Sequence, residues 1–205
     1  MQGTTCVKYL GMIIDTLDWS SHVQLIKSKL LYDCNMFFKI CKFVPRDVLR
    51  LLYFCFVHCH LRCCAISWGT ANNSVLQPFS VLQNNLLRIM TCSKYRCHIT
   101  SLCKNLKILK LNSIYQFDLA KFMHKFHHGK LPEIYKEYFQ ETSSVHSYQT
   151  RFANMENYFI HWVSCNSGKK SISYRGASVW NKVEQNLKAV LLSTFCNQLQ
   201  QLSIK

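Results

Sequence analysis

The chain has 205 residues, 49% of them hydrophobic, and a formal charge of +15 from 25 Lys+Arg against 10 Asp+Glu, enough to bury roughly 70% of its unfolded surface in one ordinary domain or two small ones. Six Gly and three Pro argue against a turn-rich sandwich or barrel, and so few acids leave little for a carboxylate-based hydrolase. The composition suits an α-rich, basic protein whose charge favours a polyanionic partner, either nucleic acid or an anionic membrane surface.

Taken in chain order, Cys6 to Ile14 is rich in β-branched and aromatic residues and is interrupted by Gly11, which predicts a short strand pair or a bent strand. A lone hairpin is marginal in water, so this segment reads as the edge of something larger. From Ser20, the spacing of Val23, Ile26, Leu30, Cys34, Phe37, Cys41 and Val44 predicts a helix with one apolar stripe, and Lys27, Lys29, Lys39 and Lys42 lie off it. Pro45 closes this helix and opens a second, Arg46 to about Ser67, apolar nearly all round and therefore expected to be central and buried. After a turn at Gly69 to Ser74, the residues Val75, Phe79, Leu82, Leu86 and Ile89 mark a third helix, with Pro78 tolerated near its first turn. Leu111, Tyr115, Leu119, Phe122 and Phe126 mark a fourth, closed by Gly129 and Pro132. Beyond about residue 140 the pattern weakens: Ser143, Ser144, His146 and Ser147 read as a loop or linker. Tyr158 to Val163 and Ser171 to Tyr174 flank a turn-forming stretch, Asn166 to Lys170, that would join a β-hairpin. Two short helices, around Ala177 to Leu187 and Leu192 to Leu202, finish the chain, which has no fixed-period repeat and no low-complexity tract.

The 12 Cys are placed like apolar residues and no secretory leader is visible, so reduced thiols in an intracellular protein, nuclear or cytoplasmic, are expected. No dense Lys/Arg cluster marks a nuclear signal. The most apolar stretch, Leu51 to Ser67, holds His58, His60 and Arg62 and falls short of the roughly 20 residues of a membrane span, so no membrane partner is expected. Between Asp47 and Asp118 no acid occurs, while Arg50, Arg62, Arg88, Lys94, Arg96, Lys104, Lys107 and Lys110 do. That imbalance tilts the reading from a merely solvated face towards a phosphate-facing surface.

An ordered series of short motifs then carries a resemblance: Val7-Lys8-Tyr9-Leu10-Gly11, Asp15, Leu17-Asp18-Trp19 and His22; Lys29-Leu30, Leu52-Tyr53, Trp68-Gly69, Leu82-Gln83-Asn84 with Leu87-Arg88; Leu106 to Leu111, Pro132, His146, Thr150-Arg151 and Trp180-Asn181. Over roughly residues 7 to 195 the chain resembles the region that closes the palm of non-LTR (LINE, jockey-like) retrotransposon reverse transcriptases and runs through the thumb. The resemblance implies a truncated piece. The family's polymerase chemistry needs clustered palm carboxylates that clamp two metal ions, and its Tyr/Phe-x-Asp-Asp pair does not occur here, so no catalytic residue is assigned and the chain is not expected to be an enzyme alone. By matching position, Lys8, Tyr9, Leu10 and Gly11 resemble the primer-side element, Gly11 allowing close backbone approach. The same matching turns Lys27, Lys29, Lys39 and Lys42 towards phosphates, and Gln83, Asn84 and Arg88 towards a sugar or phosphate. Departures are Lys182-Val183-Glu184 where relatives commonly have Leu-Pro after Trp-Asn, and Cys63-Cys64 before Trp68-Gly69 where Tyr-Gly is frequent.

Other constellations are weaker. Cys92, Cys97, His98 and Cys103 lack the paired spacing of structural zinc. Cys55, Cys59 and Cys63 share a helical face, with His60 one turn before Cys64, and are expected to pack in the core. Asp15 and Asp18 stand alone, Asp18 being the expected helix cap. His124, His127 and His128 crowd a helix end, and Trp19, Trp68, Trp162 and Trp180 follow apolar patterns that suit core positions better than base stacking. The prediction is a mainly α fold: a helical thumb-like bundle with a short N-terminal strand pair and a small C-terminal β-hairpin, divided into residues 1–18, 19–140 and 141–205. Its expected function is to contact the backbone of RNA or an RNA/DNA hybrid through Lys8, Tyr9, Gly11, Lys27, Lys29, Lys39, Lys42, Gln83 and Arg88. No metal, cofactor or small-molecule substrate is expected, and a missing palm domain is a candidate partner. The alternatives are a Cys/His structural metalloprotein and a mobile-element remnant without function.

Overall fold

The three-and-four spacing that begins at Val23 folds as its period dictates. In the computed structural model, which describes residues 6–15, 19–94, 96–145 and 156–204, helix α1 (Ser20–Ile40) buries His22, Val23, Ile26, Leu30, Asp33 and Phe37 along one stripe. Before it, β1 (Val7–Tyr9) and β2 (Met12–Ile14) pair antiparallel with Tyr9 opposite Met12. The two-residue turn between them has positive φ at both Leu10 (47°) and Gly11 (83°), the geometry that matches strand twist in a tight hairpin. Gly11 is therefore required by its own turn: a Cβ there would meet nothing within 4 Å, so no close approach inside the chain demands it. Asp18 lies outside the described residues. Asp15 caps α1, its carboxylate accepting from the N–H groups of Trp19 and Ser21, each at 3.3 Å.

The expected continuous helix from Arg46 to Ser67 is broken. Helix α2 (Arg46–Leu52) passes into a π-helical stretch, Tyr53–His58, then α3 (Cys59–Arg62), a turn at Cys63-Cys64, and α4 (Ala65–Trp68). The reason lies in its core positions: Leu49, Tyr53, Val57, Leu61 and Ala65 are buried at a constant interval of four. An α-helix drifts roughly 40° per such step, and the wider i→i+5 turn offsets part of that drift. The segment is buried on that face alone. Leu51 and Phe56 are exposed, as are Cys55, Cys59, Cys63 and Cys64, which corrects the expectation that these cysteines pack in the core. Pro45 is the N-cap of α2, as its fixed φ favours.

Helix α5 (Asn73–Thr91) packs along α1, and α6 (Ile99–Leu106), which no periodicity had signalled, packs against α5. Pro78 sits inside α5, beyond the first turn where it was expected. Helix α7 (Leu111–His127) follows and ends at Gly129, whose φ of 64° suits a glycine C-cap. Beyond it come a 3₁₀ stretch (Glu133–Tyr138), the single turn α8 (Thr142–Val145), α9 (Ile172–Trp180), α10 (Gln185–Lys188) and α11 (Leu192–Ile204). Ser143 and Ser144 are helical in α8, whereas His146 and Ser147 lie outside the described residues. The fold is mainly α. The C-terminal β-hairpin is not formed: Gly168–Lys170 is a 3₁₀ turn and Ile172 already begins α9. Tyr158 bridges Glu141 instead. The Ser171 hydroxyl accepts from the Tyr174 N–H, an N-cap that competes with a strand start.

The contacts divide the chain into two compact units, residues 1–115 (with 204–205) and 116–203, so the division falls inside α7 and not near residue 140 as expected. The first unit centres on Leu30, Phe37, Tyr53, Trp68, Phe79 and Leu86, all fully buried. The second closes around Ala120, Met123, Phe139, Tyr158, Ala177, Trp180, Leu187 and Phe195.

Candidate nucleic-acid interface

The C-terminal halves of α1 and α5 form one side of the first unit. Between them lies an open depression of about 530 Å³ lined by Phe38, Cys41, Lys42, Asn85, Arg88, Ile89, Cys92 and Ser93. Phe37 and Phe38 are consecutive, so the helical period that buries the first turns the second outwards, and Phe38 is 67% exposed. Lys42 follows in the turn after α1, and Lys39 is exposed on the last turn of the helix. Arg88 stands one turn beyond Asn85, whose side-chain oxygen accepts from its guanidinium at 3.4 Å. Phe43, next to Lys42, is 86% exposed.

Two helix C-termini meet this depression, and the negative ends of their dipoles would repel an anion. Cations answer them: the Arg46 guanidinium donates to the Thr91 carbonyl at 3.4 Å, and Lys42 and Arg88 line the depression. No carboxylate lines the depression. Cations beside an aromatic and aliphatic floor are groups that can attract a polyanion by charge and stack on a planar ring.

The nine sequence-predicted residues do not form one site. Lys42 and Arg88 come together here, while Lys39 is exposed on the last turn of α1 and is not part of the lining. Lys27 and Lys29 are two positions apart on α1 and so point roughly 200° apart around its axis; Lys29 faces the His60 side, where its charge acts on buried Asp33. Lys8, Tyr9 and Gly11 belong to the hairpin, which meets the other end of α1 through the Ile13 N–H donating to His22 Nδ1 at 3.3 Å. From there to Ile40 is roughly 27 Å of helix. Lys8 is exposed and Tyr9 is 61% exposed, forming a separate small patch.

Gln83 is a correction. It is buried, its Nε2 donating to Tyr53 Oη at 2.9 Å and to the Leu109 carbonyl at 2.8 Å, its Oε1 accepting from the Leu111 N–H at 3.0 Å. An amide so engaged holds α5 to the segment that begins α7 and reaches no sugar or phosphate. Two other basic residues of the acid-free stretch also serve the fold: Arg50 Nε donates to the Leu106 carbonyl at 2.6 Å with its guanidinium over Phe54, and Lys110 donates to Thr100 Oγ1 at 2.9 Å. The contributions of Phe38, Asn85 and Arg46 were missed. Phe38 was legible from the period, whereas Arg46 and Asn85 needed the packing of α5 on α1.

Elsewhere, the histidines at the end of α7 are structural. His124 Nε2 donates to the Val190 carbonyl at 2.9 Å, His128 Nε2 meets the Lys188 carbonyl at 3.0 Å, and His127 lies 3.1 Å from the Tyr158 hydroxyl and 3.2 Å from Glu156. Burial pushes His124 and His127 below the ordinary imidazole range, against the hydrogen bond to Val190 in one and the Glu156 charge in the other. Lys188 is buried, its ammonium donating to Asn157 Oδ1 at 2.7 Å above the Trp180 ring, and burial lowers it against the pull of Glu156. Trp19, Trp68 and Trp180 are buried; Trp162, expected in the core, is 87% exposed. Among the described residues no three His, Cys, Asp or Glu side chains gather as metal ligands, and no helix is long and apolar enough to cross a membrane. No protein-family model, curated protein or solved structure matches the chain.

Proposed function

We propose that the chain is a non-catalytic fragment related to non-LTR reverse transcriptases, and that its first unit grips the backbone of RNA or an RNA/DNA hybrid at the α1/α5 depression. The observation that carries the reading is the pairing of Lys42 and Arg88 beside an exposed Phe38 with no acid in the lining. Phosphates lie against the cations, and Phe38 takes the face of a base or sugar. This contact is expected to be sequence-independent, because Lys42 and Arg88 would act on phosphates through charge. Lys8 and Tyr9 form a second contact point at the far end of α1.

The test is binding of single-stranded RNA and of an RNA/DNA hybrid over a salt series. Affinity is expected to fall linearly in log salt. Lys42→Gln and Arg88→Gln should each reduce the slope by about 0.7 to 0.9, one phosphate contact apiece. Lys136→Gln, at an exposed lysine paired with Glu133 in the second unit, should leave it unchanged. A folded chain that binds neither ligand at low salt, or slopes indifferent to Lys42 and Arg88, would overturn the reading.

A further inference from the structure

The turn between α3 and α4 is built from two adjacent cysteines. Cys63 has φ −56° and ψ 112°, and Cys64 has φ 53° and ψ 29°. These are the central dihedrals of a type II turn, whose second position normally requires Gly. A side chain there strains the backbone, yet Cys64 carries one. Both thiols are exposed and stand on adjacent residues of the turn. The turn is held from outside the pair: the indole N–H of buried Trp68 donates to the Cys63 carbonyl at 2.7 Å. Cys59, one helical turn back, aims its thiol elsewhere, at the Phe56 carbonyl 3.0 Å away.

We infer that Cys63 and Cys64 form a redox modification site, closing reversibly to an eight-membered vicinal disulfide by exchange with a small disulfide of the glutathione class. The Cys63 thiolate attacks the small disulfide, forming a mixed disulfide and expelling one thiolate. The Cys64 thiol then loses its proton, and its sulfur attacks the Cys63 sulfur and expels the second thiolate. Two protein thiols and one small disulfide become one protein disulfide and two small thiols once both leaving thiolates are protonated. Cys63 attacks first because burial and the neighbouring sulfur push the Cys64 thiol up. Adjacent Cα atoms lie about 3.8 Å apart, short of the roughly 4.4 Å at which ordinary disulfides begin, so the ring is strained and readily reduced. That chemistry suits a reversible mark and not a permanent staple.

Trypsin releases residues 63–88 as a peptide with no other cysteine, so the state of the pair is read without ambiguity. The full chain is equilibrated with graded ratios of oxidised to reduced glutathione, its free thiols are alkylated, and the digest is weighed. The expected result is a 63–88 peptide that escapes alkylation, is lighter by two hydrogens than its dithiol form, and regains both thiols when reduced glutathione is restored. It should appear at ratios where the urea-unfolded chain still shows two alkylated cysteines, because the folded turn presents the pair. Alkylation of both cysteines at every ratio, a glutathione on each without ring closure, or a link to the peptide carrying Cys55 and Cys59 would overturn the proposal. Equal ring closure in the unfolded chain would overturn it as well. Cys64→Ser should leave only a mixed disulfide on Cys63.

Discussion

Gln83 shows how a polar residue on a helix can be misread. Its position beside Asn84 and Arg88 suits a surface contact, yet its three hydrogen bonds satisfy Tyr53, Leu109 and Leu111 inside the first unit. Gln83→Leu keeps much of the volume but leaves the Leu111 N–H and the Leu109 carbonyl buried without that amide. It should destabilise the chain by about 2 to 4 kcal/mol in chemical denaturation, with the salt slope for RNA unchanged in the fraction that remains folded. Asn181 teaches the same lesson. Its amide accepts from the Tyr158 N–H at 2.9 Å and donates to the Tyr158 carbonyl at 2.8 Å, while the neighbouring Trp180 indole donates to the Glu156 carbonyl at 3.1 Å. The Trp-Asn pair pins an irregular segment to α9. Sequence alone reveals that such a residue is polar, not whether its partner is water, phosphate or backbone, because partners tens of positions away are set by tertiary contact.

At the scale of elements, close approach and turn geometry give glycines separate roles. A Cβ on Gly69 would collide with the Ala65 carbonyl oxygen and the Tyr115 ring, so α4 and the start of α7 can meet only at a residue without one. Gly69→Ala should cost about 1 to 3 kcal/mol as the elements move apart. Gly129→Ala supplies the contrast. Nothing lies within 4 Å of its Cβ site and its φ is 64°, so only backbone strain of about 1 kcal/mol is expected. Thermal or urea unfolding of the two variants separates the causes. The apolar periods predicted α1, α5 and α7 because one face of each is core. They did not predict the break of the second helix, since four-residue spacing is shared by α- and π-helical turns. Nor did they show α6, which at eight residues offers barely two turns of pattern.

Over the whole molecule, two buried histidines, His22 and His124, and two half-buried ones, His60 and His127, set the response to acid. Burial holds His22, His60, His124 and His127 below their ordinary range, each against smaller opposing or reinforcing charges. Below pH about 6.5 the unfolded chain takes up protons that the folded chain refuses, so stability is fully present above that pH and is lost as pH falls towards the folded values. Each such histidine contributes a slope of up to about 1.4 kcal/mol per pH unit within its window. Unfolding free energies measured between pH 7.5 and 5.5 should decline, and His124→Phe should flatten the decline even though it also removes the hydrogen bond to Val190. Asp33 works in the opposite sense at lower pH, because burial raises its carboxyl against the charges of His60 and Lys29. A profile that is flat across this range would contradict the assignment of these imidazoles as neutral in the folded chain.

What the sequence by itself determined was the helical class, the stripe of α1, the basic character of the chain and the outward direction of Lys39, Lys42 and Phe38. Each depends on local period or composition, which a chain carries whatever its long-range contacts. Tertiary structure alone decided that Arg88 joins Lys42 while Gln83 turns inward. It also decided that residues 171–174 begin a helix instead of a hairpin strand, because the Ser171 cap and the burial of Gly176, Ala177 and Trp180 outweigh a turn signal that had no strand partner to reward it.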